Sequence, residues 1–165
     1  MKTGFGVAVL AGLLLVGAAG AANAAACYTP TEARAAQLRQ LQTELMVAAL
    51  QCSSRSDLDL AAHYNTFVRR FGGSLTENAK TLRGHFVRQG GGQGRFDSFI
   101  TSLANQASMK ALNTPEFCDA VKPLFDKTLA QSPSGIEAFA VETVGAGDYA
   151  VCGGGRSQRA DAKPN

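Results

Sequence analysis

The sequence predicts an all-α protein, a compact bundle of five or six helices that is stapled by two disulfides. A disordered C-terminal tail is expected at residues 153–165, which lack apolar side chains to bury. Three observations predict the helical class. Apolar residues recur at intervals of three and four, the spacing of one helix face. Capping residues, glycines and prolines separate these stretches. No convincing pair of strands with alternating apolar and polar residues occurs.

Residues 1–26 have the pattern of a signal peptide, and we predict that they do not belong to the fold. Lys2 supplies a positive charge, an apolar run covers residues 7–16, and small residues extend to Ala26. The apolar run is short and interrupted by glycine, so it does not suit a membrane span of about 20 residues. No later stretch is apolar enough to span a membrane. We therefore expect a soluble bacterial protein that is periplasmic or secreted.

The segment before Cys27 has a second interpretation, which is lipid attachment at that cysteine. It reads Ala24-Ala25-Ala26-Cys27 and is similar to a lipoprotein box, but the bulky apolar residue three places before the cysteine is missing. Cys27 also completes an even number of cysteines. We therefore expect Cys27 to form a disulfide and not to carry a lipid anchor.

The helical domain is predicted at residues 27–152, and its first helix, Pro30–Gln51, should be the element around which the others pack. Thr29 is a good N-cap, Pro30 suits the first helical position, and Glu32 completes a capping box. The second half of this helix is apolar nearly all round, which is typical of a helix buried among its neighbours.

Two further helices are predicted around the glycine pair Gly72-Gly73. The first covers residues 57–71 and ends at the glycines, in the usual manner of a C-terminal glycine. Ser74 and Glu77 then form a capping box that opens the next helix. A glycine-rich segment, residues 90–94, is expected to be a flexible loop, because glycine is unfavourable inside helices.

Three more helices complete the predicted bundle. The fourth covers residues 95–112. Thr114 and Pro115 provide the N-cap and first position of the fifth. Ser134 and Glu137 are spaced to cap a short last helix.

The four cysteines of an exported chain predict two disulfides. A pairing of Cys27 with Cys52 is excluded, because a helix about 33 Å long separates them and a disulfide needs Cα atoms within about 7 Å. The other two connectivities depend on whether the helices on either side of the glycine pair run in line or reverse direction. We favour Cys52–Cys118 with Cys27–Cys152, which corresponds to the in-line arrangement. These cysteines are predicted to be structural, because no Cys-x-x-Cys motif is present.

Few residues in the sequence suggest catalysis or cofactor binding. His63 and His85 lie on adjacent predicted helices, where they could approach one another. A metal site would need three or four ligands, and no suitably spaced partner accompanies either histidine. No Gly-x-Ser-x-Gly motif, phosphate-binding loop or haem-attachment motif occurs. We therefore predict no metal and no cofactor.

The charge distribution is uneven along the chain. The net charge is only +3, which does not argue for nucleic acid as a partner. Between residues 63 and 95, however, Glu77 is the only acid among several cations. A helical face rich in arginine can dock carboxylates or phosphates. The candidate residues for this face are Arg69, Arg70, Arg83 and Arg88. The alternative is an ordinary solvated face whose balancing acids lie elsewhere in the fold.

Two functional hypotheses follow. The first is a non-enzymatic envelope protein, which acts as a binding, accessory or chaperone-like module and contacts an unknown protein or anionic ligand through its basic face. The second is a small-molecule binder or enzyme with a pocket between the second and third helices. That pocket would use His63, His85 and nearby arginines. The first is favoured, because no catalytic constellation is visible in the sequence.

Overall fold

The computed structural model describes residues 27–145 and 149–152. The predicted signal peptide, residues 1–26, and the predicted tail, residues 153–165, lie outside the described residues. The predicted all-α class is confirmed: the described residues form five α-helices and a single isolated bridge, between Tyr28 and Val151. The helices are α1 Pro30–Gln51, α2 Leu60–Arg88, α3 Gly92–Leu112, α4 Phe117–Leu129 and α5 Ile136–Val144.

Helix α1 has the predicted bounds and the predicted capping box. The Glu32 backbone N–H donates to Thr29 Oγ1 at 3.3 Å, and the Thr29 N–H donates to Glu32 Oε2 at 2.9 Å. The helix is central, as expected, because it contacts each of the other four helices. Its apolar side chains are correspondingly inaccessible, and Leu38, Leu41 and Leu45 are completely buried.

The prediction that the chain breaks at Gly72-Gly73 is wrong, because α2 continues through both glycines. Ser74 does not act as an N-cap, and its hydroxyl instead donates to the Pro133 carbonyl at 3.3 Å. The physical reason is tertiary burial. The buried stripe of α2 keeps helical register across the glycines, and this burial outweighs a helix-propensity cost of about 1 kcal/mol per glycine. The stripe includes Phe67, Phe71, Leu75 and Leu82.

The remaining helix starts differ from the predicted ones by a few residues. Helix α3 begins at Gly92, so part of the predicted flexible loop is helical. Thr114 is not the N-cap of α4, because its hydroxyl donates to the Lys110 carbonyl at 2.7 Å and so closes the end of α3. Helix α5 forms as predicted, but its N-cap is Gly135, whose N–H donates to Ser132 Oγ at 3.1 Å.

The core consists of two hydrophobic clusters along α1. The larger one surrounds the C-terminal half of α1 and includes residues from all helices except α3. The smaller one packs the N-terminal half of α1 against α2 and α3, with Ala36, Leu82 and Phe96 among its members. These contacts orient the neighbours: α2 runs antiparallel to α1, and α3 runs in the same direction as α1.

The cysteines pair as Cys27–Cys152 and Cys52–Cys118, with Cα–Cα distances of 5.0 and 5.7 Å. This is the connectivity that we favoured from the sequence. That preference assumed that the segments before and after the glycine pair run in line, and they do, because both belong to one helix. Two disulfides are compatible with an oxidising extracellular compartment. None of the described helices is both long and apolar enough to cross a membrane.

Replacing Gly73 with alanine should raise the free energy of unfolding by about 1 kcal/mol, because alanine favours the helix interior and restricts the unfolded chain. A Cβ atom at this position would meet no atom within 4 Å. Urea denaturation of the oxidised protein measures the change. Gly90→Ala is the control and should lower stability, because Gly90 has φ +74°. A loss of stability in Gly73→Ala would contradict this account of α2.

Candidate functional site

The four arginines predicted to form a basic face all lie on α2, but they do not share one side of it. Arg70 and Arg88 are eighteen residues apart, about five helical turns, and therefore lie on the same side. Arg69 and Arg83 are fourteen residues apart, about four turns, and lie on a different side. The four arginines therefore lie on two sides of α2, because consecutive residues such as Arg69 and Arg70 point about 100° apart.

Arg70 and Arg88 are both used in contacts within the protein. Arg70 Nη2 donates to the Gln131 carbonyl at 2.9 Å, and the guanidinium lies 5.7 Å from the centre of the Phe71 ring. Arg88 forms a bidentate pair with Glu32, in which Nη2 donates to Oε2 at 2.7 Å and Nη1 donates to Oε1. These two cations therefore hold α2 against α1 and against the segment before α5.

Glu32 is the centre of a buried polar cluster where the start of α1 meets the end of α2. Its carboxylate accepts from Arg88 and from the Thr29 N–H, and His85 Nδ1 lies 3.1 Å from Oε2. The hydrogen bond from Arg88 has the largest effect on its pKa, which falls from 4.5 to about 2. Burial acts in the opposite direction, and the Thr29 and His85 hydrogen bonds lower the pKa further.

His85 belongs to this cluster and not to an open pocket. Its side chain is completely buried, and the Tyr28 ring stacks on it at 4.1 Å with an interplanar angle of 9°. Its Nε2 lies 2.8 Å from the Gln89 side-chain amide. Both ring nitrogens are thus within hydrogen-bonding distance of neighbouring side chains. Burial raises the pKa of Tyr28, and the Glu32 charge raises it further.

His63 lies near the other end of α2. Its Nδ1 is 2.8 Å from the Asp59 carbonyl, and its ring packs edge-on against Phe125 at 6.2 Å. The two histidines are 22 residues apart on one helix, about 33 Å. The hypothesis of a shared pocket between a second and a third helix is therefore wrong, because these two predicted helices are a single helix.

A groove between α1 and α3 was not predicted from the sequence. Two neighbouring cavities of about 250 Å³ each lie there, and Gln40, Leu103 and Gln106 line both of them. We call the two together the α1–α3 groove. Tyr28 and Tyr149 wall one end. A smaller, mainly apolar cavity of about 140 Å³ adjoins the other end, between α3 and α4.

A chain of hydrogen bonds runs along the α1–α3 groove. Tyr149 donates its hydroxyl to Gln40 Oε1 at 2.7 Å, and Gln40 Nε2 donates to Glu44 Oε1 at 3.1 Å. Lys110 completes the chain by donating to Glu44 Oε2 at 2.8 Å. The sequence signal was the spacing of four between Gln40 and Glu44, which is also typical of an ordinary solvated helix face. That ambiguity explains why the groove was missed.

The second basic surface of α2 is exposed. Lys80 lies about three helical turns after Arg69, and Arg83 lies about one turn after Lys80. The three exposed side chains therefore form one row on the solvent side of the helix. We call this row the α2 stripe. Among the described residues, Lys80 has one ion-pair contact, at 3.8 Å to Glu77. Neither Arg69 nor Arg83 forms an ion pair within the part of the chain that the structure describes.

Within residues 27–145 and 149–152, no group of three or more His, Cys, Asp or Glu side chains is arranged to hold a metal ion. Comparison of the chain with known protein families, curated proteins and solved structures gives no significant match. A function must therefore be derived from the residues and geometry of this chain.

The low pKa of Glu32 predicts an acid-sensitive contribution to stability. Because the pKa is lowered on folding, the contribution is present above pH 4.5 and is lost as the pH falls towards 2. It amounts to at most about 3 kcal/mol at neutral pH, because solvent screens the half-exposed Arg88. Glu32→Gln should therefore be less stable than the wild type at pH 7, and the difference should shrink between pH 5 and pH 2.

Urea denaturation across this pH range measures the effect. Glu77→Gln is the matched control, since Glu77 is exposed on α2 and its only ion-pair contact among the described residues is at 3.8 Å, with Lys80. It should follow the wild type at every pH. Asp57 and Asp119, whose pKa values are lowered by hydrogen bonds from Arg55, titrate alike in all three proteins. A stability difference for Glu32→Gln that does not change with pH would disprove the assignment.

Proposed function

We propose that the mature chain is an exported, non-enzymatic binding module of the bacterial cell envelope that docks an acidic partner protein on the α2 stripe. Residues 1–26 would direct export and be removed. The observation that carries the proposal is the row of exposed cations at Arg69, Lys80 and Arg83 on one side of a long helix. The two disulfides support an envelope setting, because such bonds persist in oxidising compartments.

The shape of the α2 stripe suits contact with another protein. Between Arg69 and Lys80 the stripe contains the small residues Gly72, Gly73 and Thr76. The cations therefore project further from the helix axis than the surface between them. At both glycines, a Cβ atom would have open space around it. From Arg69 to Arg83 the stripe is about 21 Å long. A partner helix or sheet can therefore approach the backbone closely while its carboxylates reach the cations at either end.

The electrostatics favour an acidic partner. Arginine presents a planar fork that binds carboxylates with two parallel hydrogen bonds, and it is more weakly hydrated than lysine. Arg83 is also held in place, because its guanidinium lies 4.9 Å from the centre of the Phe96 ring. Glu77 is the only acidic side chain on α2, so little of the positive charge is neutralised locally.

Photo-crosslinking in the native host tests the proposal. A photoreactive amino acid at Thr76, in the middle of the stripe, should yield a discrete protein adduct that mass spectrometry can identify. Reversing the charge at all three cations, by Arg69→Glu, Lys80→Glu and Arg83→Glu, should reduce the adduct at least tenfold. The identified partner, once purified, should bind more weakly as the salt concentration rises.

The control is a second triple variant with the same change in net charge, made at the cations Arg34, Lys122 and Lys127 of α1 and α4. It should retain the adduct. Circular dichroism and a mass consistent with two intact disulfides establish that both triple variants are folded. Absence of any adduct in the host, or an adduct that survives reversal of the stripe, would overturn the proposal.

A further inference from the structure

The α1–α3 groove has the dimensions of a ligand site. Its two neighbouring cavities, of about 250 Å³ each, share part of their lining. The α3 side of the groove extends from Phe99 to Lys110, about 16 Å along the helix axis. Small-molecule sites in proteins occupy clefts of roughly 300–1,000 Å³. The groove therefore suits an elongated ligand of several rings better than a single ion.

The polar groups of the groove are mostly neutral amides and hydroxyls. Gln40 and Gln106 each present an amide that can both donate and accept, and Ser102 and Tyr149 present hydroxyls. They are also held in position. Tyr149 bonds to Gln40 at 2.7 Å and Gln106 bonds to Ser102 at 3.1 Å. A prearranged set of this kind loses less conformational entropy when a ligand binds.

One end of the groove is walled by aromatic rings. Tyr28, Phe99 and Tyr149 line it, and each is only partly buried. Tyr28 and Tyr149 meet edge to face at 5.6 Å, and Phe99 meets Tyr149 edge to face at 6.4 Å. These mutual contacts restrict the motion of the rings, so their remaining surface is a stable apolar wall beside the amides.

We propose that the α1–α3 groove binds a short chain of uncharged sugar rings. A pyranose has one apolar face of C–H groups, which packs on aromatic rings, and a rim of hydroxyls that each donate and accept hydrogen bonds. The groove offers both features side by side. This site is separate from the α2 stripe and does not depend on the proposed protein partner.

The charges in the groove argue against other ligands. Glu44 is mostly buried and is neutralised by Lys110 at 2.8 Å, so the groove carries no net charge to select an anion or a cation. Gln40 and Gln106 keep hydrogen-bonding capacity beyond their contacts with Tyr149, Glu44 and Ser102. A purely apolar ligand would cover that capacity without using it, at a cost of about 1–3 kcal/mol for each group left unsatisfied. A sugar chain satisfies them with its hydroxyls.

Isothermal titration of the oxidised, mature protein with chitotriose and with maltotriose tests the proposal. At least one trisaccharide should bind, with a dissociation constant in the micromolar to millimolar range. Backbone amide NMR shifts should change at residues 99–110. Gln106→Ala should weaken binding about fivefold, the effect of one hydrogen bond. Phe99→Leu, which keeps apolar volume but removes the ring, should weaken it as well.

Asn105→Ala is the matched control, because Asn105 is the exposed neighbour of Gln106 and does not line the groove. It should bind as the wild type does. The triple charge reversal of the α2 stripe should also bind normally, which separates this proposal from the proposed function. Failure of both trisaccharides to bind at millimolar concentration would overturn it. Binding by Gln106→Ala that equals the wild type would also overturn it. So would amide NMR shift changes at residues 99–110 that a capped pentapeptide causes and the sugars do not.

Discussion

The arrangement of the bundle depends on the burial of α1, and above all on the few polar side chains that are buried with it. Three buried or mostly buried polar side chains of α1 are directed at different neighbours. Glu32 pairs with Arg88 at the end of α2, Gln37 donates to the Gly145 carbonyl after α5, and Glu44 pairs with Lys110 on α3. An apolar surface alone would allow the surrounding helices to slide or rotate. A buried polar group cannot lose its partner without a cost of about 1–3 kcal/mol, so these contacts specify the register of the neighbours.

A further polar contact of α1 fixes the middle of α2. Arg39 is half-buried and donates from Nε to Asn78 Oδ1 at 2.9 Å and from Nη2 to the Leu75 carbonyl at 3.3 Å. Asn78 is almost completely buried and donates to the Ala35 carbonyl. Burial lowers the pKa of Arg39, and neutral acceptors satisfy its guanidinium. The two helices are therefore joined at two levels, at Glu32 and at Asn78, and α2 continues as one helix across its glycines.

Local signals in the sequence were enough to predict α1 but not α2. The Thr29–Glu32 capping box and an uninterrupted apolar stripe define α1 without any knowledge of its neighbours. In α2 the local signal, a glycine pair followed by Ser74, conflicts with the register of Phe71 and Leu75, and burial decides the outcome. If the unbroken apolar register is given more weight than the glycine pair, the sequence predicts a single helix. A single helix also separates His63 from His85, because its rise of about 1.5 Å per residue places them about 33 Å apart.

The candidate sites depend still more on contacts between distant residues. Glu32 and Arg88 are 56 residues apart, and Gln40 and Tyr149 are 109 apart, so neither contact leaves a local pattern in the sequence. Arg70 and Arg88 illustrate the consequence. In the sequence they are equivalent to Arg69 and Arg83, and only the packing of α2 shows that Arg70 bonds to the Gln131 carbonyl and Arg88 pairs with Glu32.

The two proposed binding surfaces rest on different parts of this framework. The α2 stripe lies on one helix, so its geometry requires only that α2 stays helical through the glycines. The aromatic wall of the groove is assembled from both ends of the domain. Tyr28 precedes α1 and Tyr149 follows α5. The Cys27–Cys152 disulfide and the bridge in which the Tyr28 N–H donates to the Ala150 carbonyl at 2.9 Å hold these segments together. The disulfide is therefore more than a constraint on the unfolded chain, because it joins the segments that carry two of the three rings of the groove.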